Sequence, residues 1–231
     1  MTGDVPGPAA ADGGHYGLVL ALLVAGYLVG ALATDTWVSL LTVVLYLGAL
    51  VLAIRSSRLG RPVVWGLRIG ATVGSAGSLA VLLSNPGDGF RGAAALWLAL
   101  VLGATVVLIV RHILRHRVVT LQTIAGALSA YLLIGLMFAE IYTGMSRLGT
   151  APFFANGQAP DSATVQYFSF TTLTTLGYGD FTAARNAGRA VAVLEALLGQ
   201  VFLVTLVARL VSNFGNATAR ARRTAESTED D

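Results

Sequence analysis

Six apolar runs of membrane-spanning length divide this chain of 231 residues, at about 17–33, 37–54, 63–83, 92–110, 118–141 and 188–211. A helix needs roughly 20 such residues to cross the hydrocarbon core of a bilayer. In lipid the backbone must satisfy its own hydrogen bonds, so each run is expected to be a helix. The composition agrees: 55% of residues are hydrophobic and 12% charged, with a mean hydropathy of +0.72. So few charges could not cover the surface of a water-soluble domain of this size. Little chain is left for a separate soluble domain. There is no cysteine, which excludes a disulfide framework and a thiol site.

The arginines orient the runs. Arg55, Arg58 and Arg61 lie between the second and third, and Arg111, Arg115 and Arg117 between the fourth and fifth. Arg209, Arg220, Arg222 and Arg223 lie at or beyond the end of the sixth. By the positive-inside rule both termini are cytoplasmic, in a multi-pass cytoplasmic-membrane protein. Arg147, Arg185 and Arg189 dilute this pattern on the outer side without reversing it. The net charge of +3 is too small to point to nucleic acid. The arginines at 111, 115 and 117 are placed to meet anionic lipid headgroups. His112 and His116, spaced i, i+4, could share a helix face, but the three arginines around them make a poor metal site. Ala31-Leu32-Ala33 resembles a signal-peptidase site, but Asp4 and Asp12 precede the run where a signal peptide carries positive charge, so retention is expected. Residues 1–14 are rich in Gly, Pro, Ala and Asp, and 217–231 are Arg-rich and then acidic. Disordered cytoplasmic tails are therefore expected over 1–16 and 213–231.

The loop before the last run contains Thr-Thr-Leu-Gly-Tyr-Gly-Asp at 174–180, preceded by a short segment, 162–174, that cannot span. Asp161 and Ser162 are good N-caps, and about twelve residues of helix can follow. To coordinate a bare cation, consecutive backbone carbonyls must point the same way, so the chain must alternate right- and left-handed conformations. Glycine takes the left-handed form at little cost, and Gly177 and Gly179 alternate with Leu176 and Tyr178. The carbonyls of Thr175, Leu176, Gly177 and Tyr178, with the Thr175 hydroxyl, would then replace an ion's hydration shell. The dipole of the short helix would place partial negative charge at its C-terminus, toward the waiting cation.

This loop resembles the selectivity filter of potassium channels, in which carbonyl rings strip and hold the ion. The stretch Glu195-Ala-Leu-Leu-Gly199-Gln200 and onward to Arg209 resembles a group of small bacterial channels with the same Glu/Gln pair. The likeness covers about 118–212, and residues 1–117 rest on hydropathy alone. It implies an all-α integral membrane fold, with six spans and a re-entrant pore helix and filter loop between the last two. Residues 17–117 would form a four-helix block and 118–212 the pore domain. One filter per chain implies a homotetramer. The implied function is passive, potassium-selective conduction, with K⁺ as permeant ion at Thr175–Gly179, no organic cofactor and no catalytic residues. A non-selective cation channel, a potassium-transporter subunit and a non-conducting membrane sensor are the alternatives.

The resemblance also assigns supporting roles. Tyr167 and Phe168 would form an aromatic collar around Tyr178, with Thr171, Thr172, Thr174, Asp180 and Glu195 bracing the filter. The simplest bacterial potassium channels carry a carboxylate four residues before the filter, paired with the filter aspartate. Here that position is Thr171. Gly199 matches a hinge glycine, and serves equally as a packing position against the pore helix. Gln200, Leu203 and Val207 would line the cavity or gate. Glu195, costly in a span unless it meets a polar partner, is expected to bond hydroxyls such as Thr171 or Thr172, or to bond across to a neighbouring span. Glu140 is expected near the outer end of its span. Gly66, Gly70, Gly74 and Ser78 recur every four residues and read as a helix-packing face. Residues 92–110 carry no charge, so the four-helix block lacks the arginine array of a voltage sensor.

Overall fold

The computed structural model describes residues 16–32, 87–115 and 120–229, with helical positions at Leu41, Val44, Gly48 and Val51. The runs at 37–54 and 63–83, the small-residue face at 66–78, and the arginines at 55, 58, 61 and 117 otherwise lie outside the described residues. Five helices are described: α1 (Tyr16–Leu32), α2 (Asp88–Arg115), α3 (Leu121–Leu148), α4 (Ser162–Leu173) and α5 (Asn186–Glu229). There is no strand among the described residues; Phe154 and Ala183 form an isolated antiparallel bridge.

Among the described residues, three segments are long and apolar enough to cross a membrane: Asp88–Arg111, Leu121–Leu148 and Asn186–Arg209. Among the described residues the chain is thus all-helical, with the apolar helices of a multi-pass membrane protein. The apolar helix at Tyr16–Ala31 is shorter. Helix α4 has its expected twelve residues, opened by Asp161, whose carboxylate accepts from Thr164 N at 2.7 Å. At 1.5 Å per residue it is about 18 Å long, too short to cross. Helix α3 runs seven residues past the expected end at 141. Glu140 therefore sits half-buried about 12 Å short of that end rather than at it. Helix α5 continues to Glu229, through the region expected to be disordered from 213. Ala217, Ala219, Ala221 and Ala225, interspersed with arginines, have high helix propensity, and no proline interrupts them.

Helices α2 and α3 form an antiparallel pair joined by a short connection. Leu98, Leu102, Ile109 and Ile113 repeat at helical spacing and bury against Ala127, Ala130, Leu133 and Leu136. Tyr16, Val19 and Leu23 bring α1 onto the same core. At the other end of the pair, Arg147 meets Asp88 at 3.1 Å in an exposed ion pair. Hydroxyls within the apolar helices are satisfied locally: Thr105 donates to the Val101 carbonyl, Ser129 to Ala125 and Thr143 to Ala139. A second core joins α3 to the loop and α4 through Phe138, Tyr142, Phe153, Phe154, Val165, Phe168 and Leu173.

Candidate functional site

The loop from Thr174 to Asp180 leaves the C-terminus of α4 and is tied to its last turn. Thr175 N donates to the Thr172 carbonyl at 3.0 Å and Gly177 N to the Thr171 carbonyl at 3.1 Å. Thr174 folds its hydroxyl onto the Phe170 carbonyl at 2.7 Å. Left-handed backbone occurs at Thr175 (φ 59°), Gly177 (φ 51°) and Gly179 (φ 83°). Every second residue is inverted, with Leu176 and Tyr178 between them. The glycines were legible as left-handed positions. Thr175 was not, because a β-branched residue pays a steric penalty there of roughly 1–3 kcal/mol. Residues 174–180 are all exposed in the single chain, Leu176 at 54% and Tyr178 at 70%.

Tyr167 stacks on Tyr178 with ring centroids 6.5 Å apart and planes 6° from parallel. Its hydroxyl lies near the Asp180 carboxylate. Desolvation first, and then the Asp180 carboxylate, raise the Tyr167 phenol above its ordinary pKa, so it stays a neutral donor. Phe168 does not join this stack. One residue along a helix turns about 100° away, and Phe168 instead meets Tyr142, Phe153 and Phe154 edge-on. Of the two, Tyr167 alone stacks on Tyr178. Thr171 does not pair with Asp180 either: its hydroxyl donates to the Phe168 carbonyl. The Asp180 carbonyl is held by Asn156 Nδ2 at 3.0 Å, and the backbone just beyond is clamped by Ala155 N to Thr182 O and Ala184 N to Phe153 O. Asn156 escaped the sequence reading because it lies in a polar loop with no motif.

Glu195 on α5 is fully buried. Its partners are neither Thr171 nor Thr172. Ser169 on α4 donates to Oε1 at 2.5 Å, and Tyr142 on α3 to Oε2 at 2.6 Å. Ser169 Oγ also lies 2.7 Å from the Gly135 carbonyl of α3. Thr171, two residues further along α4, lies about 200° round the helix from Ser169, and its hydroxyl is taken by the Phe168 carbonyl. The two readings offered for Glu195, a bond to the pore helix and a bond to the neighbouring span, are here satisfied together. The signal for Tyr142 was a phenol within an apolar run, and for Ser169 a hydroxyl in the short helix; neither indicated a partner.

Gly199 is buried, and α5 runs through it unbroken. A Cβ there would lie 2.6 Å from the Leu173 carbonyl and 2.8 Å from Leu173 Cδ1. The packing reading has this direct support. The next residue, Gln200, is exposed and donates from Nε2 to Thr175 Oγ1 at 3.3 Å. Leu203 is half-buried and Val207 is 56% exposed. At the far end of the span, Arg209 donates to the Ile113 carbonyl of α2 at 2.5 Å. Arg111 is exposed at the end of its span, and the side chains of His112 and Arg115 lie outside the described residues.

No curated protein and no solved structure matches the chain. Residues 148–216, from the end of α3 through α4, the Thr174–Asp180 loop and the spanning part of α5, match the protein-family model described as an ion channel.

Proposed function

We propose that the chain is the subunit of a homotetrameric, potassium-selective channel, conducting K⁺ passively across the cytoplasmic membrane. The observation that carries the reading is the inversion of the backbone at Thr175, Gly177 and Gly179 within Thr-Leu-Gly-Tyr-Gly, immediately after the C-terminus of a helix too short to span. Alternating handedness turns successive carbonyls to one side, and that side can then face an ion. The Thr175, Leu176, Gly177 and Tyr178 carbonyls supply the coordinating oxygens.

Four copies are required because one chain forms one wall. The loop is exposed along its whole length, and only 11% of the α5 spanning window is buried, against 44% and 56% for the other two spans. Val193, Leu197, Val201 and Val204 stand exposed on α5. A cyclic tetramer covers such surfaces and closes the ring of carbonyls. In this reading α4 re-enters the membrane between α3 and α5, and the runs outside the described residues complete six spans. Both termini are cytoplasmic by arginine placement, and Arg111, Arg115 and Arg117 meet anionic headgroups. Gln200, Leu203 and Val207 line the inner cavity.

Liposome flux tests the proposal. Vesicles holding purified protein should release K⁺ down its gradient and retain Na⁺, and cross-linking in the same vesicles should end at four subunits. Equal release of both ions, or assembly that stops at a dimer, would refute it.

A further inference from the structure

Gly199 and Gln200 act on the inner end of the filter as a pair. With no side chain at Gly199, the α5 backbone lies so close to the end of α4 that a Cβ would meet the Leu173 carbonyl at 2.6 Å. Tyr131 on α3 holds that same carbonyl, its hydroxyl donating at 3.3 Å. This approach carries the next side chain to the first filter residue, where Gln200 Nε2 donates to Thr175 Oγ1 at 3.3 Å. Thr175 needs such support. It is a β-branched residue in left-handed backbone (φ 59°), a conformation that persists only when its surroundings impose it. Gln200 Oε1 accepts no hydrogen bond among the described residues, and the side chain is exposed in the single chain.

We infer that Gln200 forms a further cation site: in the tetramer, four Gln200 carboxamides, each steered by its own Thr175 hydroxyl, offer four oxygens to a partly hydrated monovalent cation beneath the Thr175 ring. The inference rests on the tetrameric potassium pore proposed above. An amide inside a spanning helix is costly without a polar partner or water. One partner is Thr175, and the cavity water and cation supply the rest. Amide oxygens are hard ligands suited to such ions. Being uncharged, they hold the ion weakly enough for it to move on, as conduction requires. Thr175 keeps a lone pair for the same ion, so the two rings act in series.

Single-channel recording of the full-length protein in bilayers, with K⁺ varied on the cytoplasmic side, tests this. In Gln200→Leu the K⁺ concentration giving half-maximal outward current should rise by about threefold or more, with the K⁺/Na⁺ reversal potential unchanged. Gln200→Asn withdraws the amide by one methylene and should give a smaller rise. Gln200→Glu adds negative charge and should lower the half-maximal concentration. Wild-type half-saturation in Gln200→Leu overturns the inference. If Gln200→Leu does not assemble, unchanged half-saturation in both Gln200→Asn and Gln200→Glu overturns it. A wild type that conducts K⁺ and Na⁺ equally refutes the potassium reading while the half-saturation comparison still reports on Gln200. A wild type that carries no current takes both down.

Discussion

Glu195 and Ser169 meet at 2.5 Å across the α4–α5 interface, inside a knot that Tyr142 completes from α3 at 2.6 Å. One buried carboxyl thereby fixes the short helix that ends at the Thr174–Asp180 loop against both of its neighbouring spans. The contact is about one turn before the C-terminus of α4, so movement there is transmitted to the residues that begin the Thr174–Asp180 loop.

Glu195→Val should loosen this knot. Ser169 keeps the Gly135 carbonyl as an acceptor, but Tyr142 loses its buried partner, at a cost of about 1–3 kcal/mol per subunit. A lower melting temperature of the assembly, or a collapsed open probability, is expected. Glu195→Gln retains the size and an acceptor oxygen and should be milder, with an altered pH dependence of opening. Wild-type melting, conductance and open probability in Glu195→Val would remove the residue from the mechanism.

Gly177→Ala should abolish K⁺ current while leaving the protein in the membrane. No atom lies within 4 Å of a Cβ built at Gly177. The penalty is therefore conformational, about 1–2 kcal/mol in each subunit for left-handed backbone at φ 51°. Expression and assembly by size-exclusion chromatography, set beside flux, separate the two effects. Persistent K⁺-selective flux would contradict the role given to residues 175–179.

Gly199→Ala tests packing by a different route. Its Cβ would collide with the backbone oxygen of Leu173, which cannot swing aside as a side chain would. Overpacking of this kind costs about 1–3 kcal/mol. The assembly should melt earlier than wild type, and a melting temperature at or above wild type would show that the α4–α5 contact is more yielding than described.

Much of this region was legible because the residues themselves carry the constraint. The capping pair at Asp161 and Ser162, followed by twelve residues, marked α4 to within a residue, and paired glycines marked the inversion at 177 and 179. The left-handed Thr175 was not legible, because local propensity opposes it and tertiary contacts impose it. The partners of Glu195 were misjudged for a geometric reason. Thr171 and Thr172 have the right chemistry, but Ser169, nearer the start of α4, is the hydroxyl at the level of Glu195, and Thr171 turns back onto the Phe168 carbonyl. The end of α3 was placed too early because Glu140 and the polar residues after it resemble a helix end. The tail beyond 213 was read by its charge, whereas its alanines extend α5.

Opening should depend little on membrane voltage. Helix α2 carries no charge between residues 92 and 110, and steep gating needs several mobile charges, each worth ~2.3 kcal/mol per 100 mV. A conductance–voltage curve in symmetrical K⁺ should be shallow. One as steep as several gating charges per channel, in the absence of soluble blockers, would contradict this.

The reversal potential of purified wild-type protein in a planar bilayer, with K⁺ on one side and Na⁺ on the other, tests the potassium assignment most directly. Carbonyl coordination at Thr175, Leu176, Gly177 and Tyr178 requires current to reverse only at a large voltage of the sign that holds K⁺ back. A reversal potential near zero would show that both ions pass alike, and would contradict a potassium-selective pore.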